Sequence, residues 1–200
     1  LLRGAAERLK AVMADEGSER VEALRSAIAV VDRYAEVRDD YYRRIGYNDS
    51  GDTRYATIRL GFRCNQACGF CWQGRDWPDA DQDDYARWVD EAAAAGVAQI
   101  VFSGGEPTLN RALPELAERA AKHHGIPTVV QTNAIRLRDA RFAARLKDAG
   151  CEDLFVSLHS SDPAVSDRLT RAPGTHAKTV AGIHSALEAG LAVRLNCVVE

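Results

Sequence analysis

The sequence RDARFAARLKDAGCEDLFVSL, residues 138–158, contains a predicted helix, a glycine stop and a predicted strand in direct succession. The helix is predicted over 138–149 and ends at Gly150, because glycine readily takes the left-handed conformation that closes a helix. The strand is predicted over 153–158, where Leu154 and Val156 share one apolar face. A helix that runs directly into a strand is typical of α/β proteins, in which such units build a parallel sheet.

The same unit recurs through the chain from Tyr55 onward. Further helices that run into a glycine are predicted over 81–95, 110–124 and 175–189. The other strands are predicted over 55–60, 98–103, 126–132 and 191–198. These units predict an α/β fold, a partial (β/α) TIM-like barrel of parallel strands with right-handed crossovers. Since five strands do not close a barrel, we expect the chain to be truncated after strand 5. A small open sheet is the alternative.

Residues 1–54 carry a different pattern and are predicted to form an N-terminal helical extension before a core at 55–200. The first 45 residues read as helix, and a turn-forming run at 46–51 ends it. Apolar residues recur there at helical spacing and form one stripe: Val21, Leu24, Ile28, Val31, Ala35, Tyr42 and Ile45.

Composition excludes several classes of partner. The 200-residue chain has a formal net charge of −3, which gives no basic field for nucleic acid and no polybasic membrane patch. No apolar run approaches the length of a membrane span. Three of the five cysteines crowd into eight positions, unlike a secreted disulfide framework. We therefore expect a cytoplasmic protein that binds neither nucleic acid nor membrane.

The crowded cysteines form the central motif, Cys64-Asn-Gln-Ala-Cys68-Gly-Phe-Cys71, in the loop after the first strand. Three thiolates can hold three irons of a [4Fe–4S] cluster, which leaves the fourth iron without a protein ligand. An open coordination position is what a metal site needs to bind and activate a small molecule. A zinc site is the alternative, but zinc needs a fourth ligand, for which His159 or a distant cysteine is the candidate.

A second motif, Gly104-Gly105-Glu106-Pro107-Thr108, follows the second strand. By itself it predicts a tight turn, because glycine gives backbone freedom and proline fixes φ. The carboxyl ends of parallel barrel strands meet at one edge, where sites form. Glu106 is therefore expected near the cysteine loop.

Together the two motifs resemble the radical S-adenosylmethionine (SAM) superfamily, whose signature is C-x3-C-x-aromatic-C, with Phe70 as the aromatic here. The resemblance implies a [4Fe–4S] cluster whose open iron chelates SAM. The reduced cluster then cleaves SAM to a 5′-deoxyadenosyl radical, which abstracts hydrogen from a substrate. The second motif is similar to the GGEP motif that binds the SAM amino group in this family, which implies a cofactor role for Gly104, Gly105, Glu106 and Pro107.

Two further strand ends are similar to family patterns. Gln131-Thr-Asn133-Ala134 resembles a frequent T-N-G sequence, with alanine in place of the glycine, which implies that Gln131 and Asn133 bind the cofactor. Ser157 ends the fourth strand, where family members often place a serine near the SAM carboxylate or ribose. For each of these residues a capping or loop-ordering role is the alternative.

Three residues further along complete the candidate set. Arg171 resembles the arginine that pairs the SAM carboxylate in the family, with Arg168 as a competing choice. Asn196 faces inward on the fifth strand and is expected near the ribose or adenine. His159, on the inward face of the fourth strand, is the candidate catalytic residue, as a substrate contact or proton donor, with a structural role as its alternative.

The predicted function is therefore that of a radical SAM enzyme acting on a small molecule of a natural-product or cofactor pathway. A peptide-modifying maturase is the first alternative, since substrate contacts in the family usually come from other parts of the protein. A non-catalytic zinc or iron–sulfur binding module is the alternative from another class. The resemblance also implies an electron donor such as flavodoxin or ferredoxin.

Overall fold

The computed structural model describes residues 55–73 and 78–198. The chain divides into two units, Leu1–Thr53 and Arg54–Glu200, and the described residues belong to the second. The helical extension predicted over residues 1–54 lies outside the described residues. That extension and its boundary with the core therefore stay predictions.

Five parallel strands form one sheet, and their order in the sheet follows their order in the chain. This arrangement confirms the predicted α/β class and is consistent with the predicted partial TIM-like barrel. The strands are β1 (Tyr55–Arg59), β2 (Gln99–Ser103), β3 (Thr128–Thr132), β4 (Cys151–Ser157) and β5 (Ala192–Asn196).

Helices connect the strands, and the predicted glycine stops are confirmed. Gly96, Gly125, Gly150 and Gly190 all have positive φ at the positions where a helical segment turns into the next strand. The predicted helix over 110–124 ends early, because a π-helical turn (Arg119–His123) replaces its second half. The helices are α1 (Gln82–Ala94), α2 (Leu113–Glu118), α3 (Ala140–Asp148), α4 (Pro163–Thr170) and α5 (Thr175–Glu188).

Helix α4 was not among the predicted elements, although its start signals stand in the sequence. The Asp162 side chain accepts hydrogen bonds from the backbone N–H groups of Ala164 (2.8 Å) and Val165 (3.4 Å). Pro163 occupies the first helical position, where its missing N–H costs nothing. The helix is eight residues long and therefore shows little periodicity for sequence analysis to detect.

The two faces of the sheet differ in chemistry. Outward side chains such as Phe102, Val130 and Leu154 are fully buried in the core with residues of α1, α2 and α3. The opposite face is called the inner face below. One row of aligned residues crosses it, in which Arg59 lies beside Ser103, Gln131 lies beside Phe155, and Phe155 lies beside Arg194. Since the strands are parallel, their carboxyl ends meet at one edge of the sheet.

Candidate active site

A cleft of about 340 Å³ opens at that edge. Its lining combines the cysteine loop with the carboxyl ends of β1 to β4. The two motifs that sequence analysis singled out lie in this one cleft, which is lined by Cys64, Cys68, Cys71, Gly104, Gly105 and Glu106 among others.

The cysteine loop is fastened to the end of α4. The backbone N–H of Ala67 donates to the carbonyl of Thr170 (2.9 Å), and that of Gly69 donates to the carbonyl of Leu169 (3.0 Å). Carbonyls in the last turn of a helix have no partner within the helix, so the loop satisfies groups that otherwise need water. Helix α4, which sequence analysis missed, thus positions the loop that carries the predicted metal ligands.

Gln66 lies between the first two cysteines and contacts both. Its backbone N–H donates to the Cys64 sulfur (3.4 Å), and its side-chain oxygen accepts from the Cys68 sulfur at 3.9 Å. The Gln66 side chain is buried and donates through Nε2 to the Thr175 hydroxyl at 3.2 Å. The interaction ties the loop to the start of α5. No sequence signal distinguishes Gln66 from an ordinary loop residue.

The donor set fits the predicted iron–sulfur cluster. All three cysteine side chains face the same cleft, and Cys71 is exposed at its mouth. Within residues 55–73 and 78–198, no three His, Cys, Asp or Glu side chains converge on a point where one ion can sit. A cluster makes no such demand, because each thiolate binds a different iron. Cys64, Cys68 and Cys71 are therefore the residues that would hold it.

The paired glycines allow the GGEP turn to lie against the start of the cysteine loop. A Cβ on Gly104 would lie 2.5 Å from the Gly61 carbonyl oxygen, and one on Gly105 would overlap the carbonyl oxygens of Phe62 and Arg63. Backbone bonds fix the approach, since Gly105 donates to Gly61 (3.0 Å) and Glu106 donates to Arg63 (2.9 Å). Glycine is required at these two positions because the two backbones pack too closely to leave room for a side chain.

The Glu106 carboxylate is 3% exposed and fully engaged with neighbouring donors. Its Oε1 accepts from the N–H (3.0 Å) and hydroxyl (2.6 Å) of Thr108 and from the Thr132 hydroxyl at 2.7 Å. Its Oε2 accepts from the Asn133 N–H at 2.7 Å. Burial raises the pKa of Glu106, while these hydrogen bonds act to lower it. No described cationic side chain pairs with this carboxylate, so a ligand cation would be its first charge partner.

The end of β3 supports this carboxylate. Asn133 is buried, and its Nδ2 donates to the Asn65 side-chain oxygen in the cysteine loop at 2.6 Å. Ala134 has a left-handed backbone with φ of 59°. The alanine therefore keeps the conformation that a glycine favours, at a cost of roughly 1–2 kcal/mol. Gln131 and Ser157 also line the cleft.

His159 lies across the cleft and stacks on the aromatic residue of the cysteine motif. The rings of His159 and Phe70 meet edge to face with centroids 4.8 Å apart, and both line the cleft. The backbone N–H of Val198 donates to His159 Nδ1 at 3.2 Å, and burial lowers the pKa of the ring. A neutral ring with Nδ1 as acceptor carries its proton on Nε2, which makes Nε2 a donor.

Three predicted site residues do not line the cleft. Pro107 is buried at the start of a 3₁₀ turn, and the Asn196 carbonyl accepts from the Leu158 N–H at 3.0 Å. The Arg171 guanidinium lies against Gly69, where its Nη2 is 3.2 Å from the place a Cβ would take. Their cofactor roles stay predictions. Six further residues line the cleft but do not belong to the predicted site set, namely Arg59, Gln66, Trp72, Gln73, Ser103 and Thr132.

Comparison with known proteins extends the similarity over most of the chain. A family model described as the radical SAM superfamily matches residues 58–199. GTP 3′,8-cyclase of Hydrogenovibrio crunogenus is 31% identical over 154 residues, which cover 72% of this chain and 46% of that protein. PqqA peptide cyclase of Rhodopseudomonas palustris is 34% identical over 147 residues, covering 72% and 38% of the two chains.

Solved structures show the same fold. The structure of native anSMEcpe with bound AdoMet superposes with a TM-score of 0.61 at 18% identity, covering 72% of this chain and 44% of that one. The chain thus spans less than half the length of each of these three proteins. Among the described helices, none combines the length and apolar character needed to cross a membrane.

Proposed function

Because the chain belongs to the radical SAM superfamily, we propose that it takes part in reductive cleavage of SAM and in hydrogen abstraction from a substrate. The observation that carries the proposal is the shared cleft. The three cysteines of the motif line one cavity with a buried carboxylate that has no cationic partner among the described residues. One side suits an open iron, and the other suits the ammonium of an amino acid.

The chain's own residues bind and orient the reactants. Cys64, Cys68 and Cys71 would hold a [4Fe–4S] cluster through their sulfurs. A bound [4Fe–4S] cluster would supply the one-electron reduction that cleaves a carbon–sulfur bond of SAM to give a 5′-deoxyadenosyl radical. The Glu106 carboxylate would accept hydrogen bonds from the SAM ammonium, and the bonds that it receives from Thr108 and Asn133 hold it in place for that contact.

The remaining lining residues shape the cavity around SAM. Phe70 and His159 form one wall through their edge-to-face contact, and His159 Nε2–H is available as a donor to cofactor or substrate. Gln131, Asn133 and Ser157 offer polar groups at the carboxyl ends of β3 and β4. Three more residues keep the cofactor roles that the family resemblance implies, with less direct support from geometry: Pro107, Arg171 and Asn196.

The substrate is proposed to be a small molecule of a natural-product or cofactor pathway. The support is the similarity to proteins named GTP 3′,8-cyclase, whose substrate is a nucleotide. A peptide substrate is the second candidate, because the similarity to a PqqA peptide cyclase is equally strong in identity. A cytoplasmic location and an electron donor such as flavodoxin or ferredoxin complete the proposal.

Anaerobic reconstitution tests the reaction. The protein is loaded with iron and sulfide, reduced with dithionite and given SAM, and 5′-deoxyadenosine is measured by liquid chromatography. We expect the nucleoside from the native chain and from Cys197→Ser, which removes an exposed cysteine outside the motif. We expect none from Cys71→Ser, which removes an exposed cysteine inside it. Bound zinc with no nucleoside from the native chain would overturn the proposal in favour of a binding module.

A further inference from the structure

The inner face carries two arginines, Arg59 and Arg194, which differ in whether a described acidic side chain neutralises their charge. Arg59 and Arg194 belong to the same row of the sheet, and each stacks on an aromatic ring. The Arg59 Cζ lies 5.1 Å from the centroid of Trp72, and the Arg194 Cζ lies 5.6 Å from that of Phe155. Of the two, Arg194 alone has an acidic partner within the described part of the chain, since its Nε lies 3.2 Å from Asp153 Oδ1.

Arg59 has no acidic partner among the described residues, and it lines the cleft. The carboxylate that shares the cleft, Glu106, already accepts four hydrogen bonds from other residues. Ser103 and Gln131, which follow Arg59 in the row, are uncharged. They bond to each other, since the Ser103 hydroxyl donates to the Gln131 side-chain oxygen at 2.9 Å. Among residues 55–73 and 78–198, therefore, no acidic side chain neutralises the guanidinium that lines this cavity.

The stacking contact gives this charge a fixed orientation. A guanidinium over an indole is held by cation–π attraction while its N–H groups stay free in the plane. Such a planar fork matches the two oxygens of a carboxylate or phosphate and binds them through two charge-assisted hydrogen bonds. In a half-enclosed site these bonds are stronger than in bulk water.

We propose that Arg59, held by Trp72, binds an anionic oxygen group of the substrate, either a carboxylate or a phosphate. The inference rests on the proposed function and narrows its substrate to acid-bearing molecules. Arg194 is the internal comparison, because the same side chain in the same row has its charge already neutralised by Asp153. The sequence motifs carry no trace of this site, since Arg59 lies before the cysteine loop.

A titration with simple anions tests the site. Inorganic phosphate, and separately acetate, is added to the reconstituted protein at constant ionic strength, and tryptophan fluorescence is recorded. We expect a saturable change that Trp72→Phe abolishes. In Arg59→Gln the apparent Kd should rise by about tenfold or more, since two charged hydrogen bonds are lost. Arg59→Lys should bind more weakly than the native chain but better than Arg59→Gln, and Arg194→Gln should bind like the native chain.

Other sources of the signal give different results. A native chain that shows no saturable change, or an Arg59→Gln variant that binds phosphate as the native chain does, would overturn the proposal. Complete competition between SAM and phosphate would assign the site to the SAM carboxylate and would also overturn it. An unchanged phosphate affinity with a shifted cluster reduction potential in Arg59→Gln would make Arg59 a counter-ion of the cluster instead.

The proposal and the proposed function fail in distinguishable ways. If the native chain forms no 5′-deoxyadenosine, the radical reaction is wrong, although the phosphate titration still reports on Arg59. If the nucleoside forms while phosphate fails to bind, the reaction stands and the assignment of Arg59 is wrong. Retention of the native circular dichroism spectrum in each variant excludes misfolding as the cause of lost binding.

Discussion

The two walls of the cleft are built in different ways. The wall formed by the GGEP turn and the end of β3 is buried, and its central carboxylate accepts four hydrogen bonds. The cysteine wall is open, since Cys71 is exposed and Trp72 is 72% exposed. The difference indicates that the protein completes the first wall by itself, while the second depends on an inorganic group and on its attachment to α4.

The largest expected effect breaks the cysteine wall without disturbing the fold. Cys71→Ser should lose the cluster and all SAM cleavage, because an open-iron cluster held by three thiolates cannot spare one. The apo protein should change in free energy of unfolding by no more than about 0.5 kcal/mol, since the residue is exposed. Iron and sulfide analysis with urea denaturation checks both. Full iron content in the variant would contradict the assignment.

The GGEP wall should respond to added volume instead. Gly105→Ala should lower the free energy of unfolding by about 1–3 kcal/mol, because its Cβ would overlap the carbonyls of Phe62 and Arg63. Gly96→Ala is the control, since it also stands at a turn but has open space around it. Gly96→Ala should lower the free energy of unfolding by about 1 kcal/mol, because the alanine must adopt the left-handed backbone that Gly96 has at φ of +68°. Equal costs in urea denaturation would show that the close approach does not matter.

Removing the charge of Glu106 sharpens the comparison further. In Glu106→Gln the amide N–H₂ group would face neighbouring groups that are themselves hydrogen-bond donors. This mismatch should lower the free energy of unfolding by about 1–3 kcal/mol. Glu115→Gln, on the surface beside Arg145, should cost at most about 0.5 kcal/mol. Loss of the carboxylate should also weaken SAM binding to the loaded protein. Equal stability of the two variants would contradict the role given to this wall.

The same carboxylate predicts a pH dependence. Burial raises the pKa of folded Glu106 above its ordinary value of 4.5, so the folded state holds this proton more tightly than the unfolded state does. Its contribution to stability is therefore fully present below that ordinary value and is lost as pH rises through the raised pKa. Urea denaturation across that range should show this decline in the native chain and a smaller one in Glu106→Gln. Parallel curves would show that Glu106 is not the group responsible.

The smallest expected effect concerns the contact between the cysteine loop and Arg171. Gly69→Ala should cost about 0.5 kcal/mol or less, because the flexible guanidinium at 3.2 Å can move aside. Gly69→Ala should cost no stability in an Arg171→Ala background, since the guanidinium that the new methyl group would contact is then absent. Urea denaturation of the single and double variants forms the cycle. A larger loss that the second substitution does not repair would place the constraint in the loop backbone.

Sequence analysis predicted the repeating part of the fold because the signals are local. The strands and the glycine stops at Gly96, Gly125, Gly150 and Gly190 depend on residues next to each other in the chain. Helix α4 escaped because it is short, although Asp162 and Pro163 mark its start. Its function is invisible in sequence, since the carbonyls it offers to Ala67 and Gly69 belong to a contact across about a hundred residues.

The site divides in the same way. The spacing of Cys64, Cys68 and Cys71 and the GGEP turn predicted which residues meet in the cleft. Arg59 and Gln66 stayed unnoticed because one residue of a five-residue strand and one residue of a loop carry no periodic signal. The position of Arg171 depends on its left-handed backbone after α4, with φ of 49°, which turns the guanidinium toward Gly69.

Electron paramagnetic resonance of the reduced, reconstituted protein tests the central claim most directly, because it reports on the ligands of the iron itself. The account predicts a spectrum of a reduced [4Fe–4S] cluster that changes when SAM is added, with a higher SAM concentration needed in Glu106→Gln than in Glu115→Gln. A cluster spectrum that saturating SAM leaves unchanged would contradict the account, since no iron would then be open to the ligand.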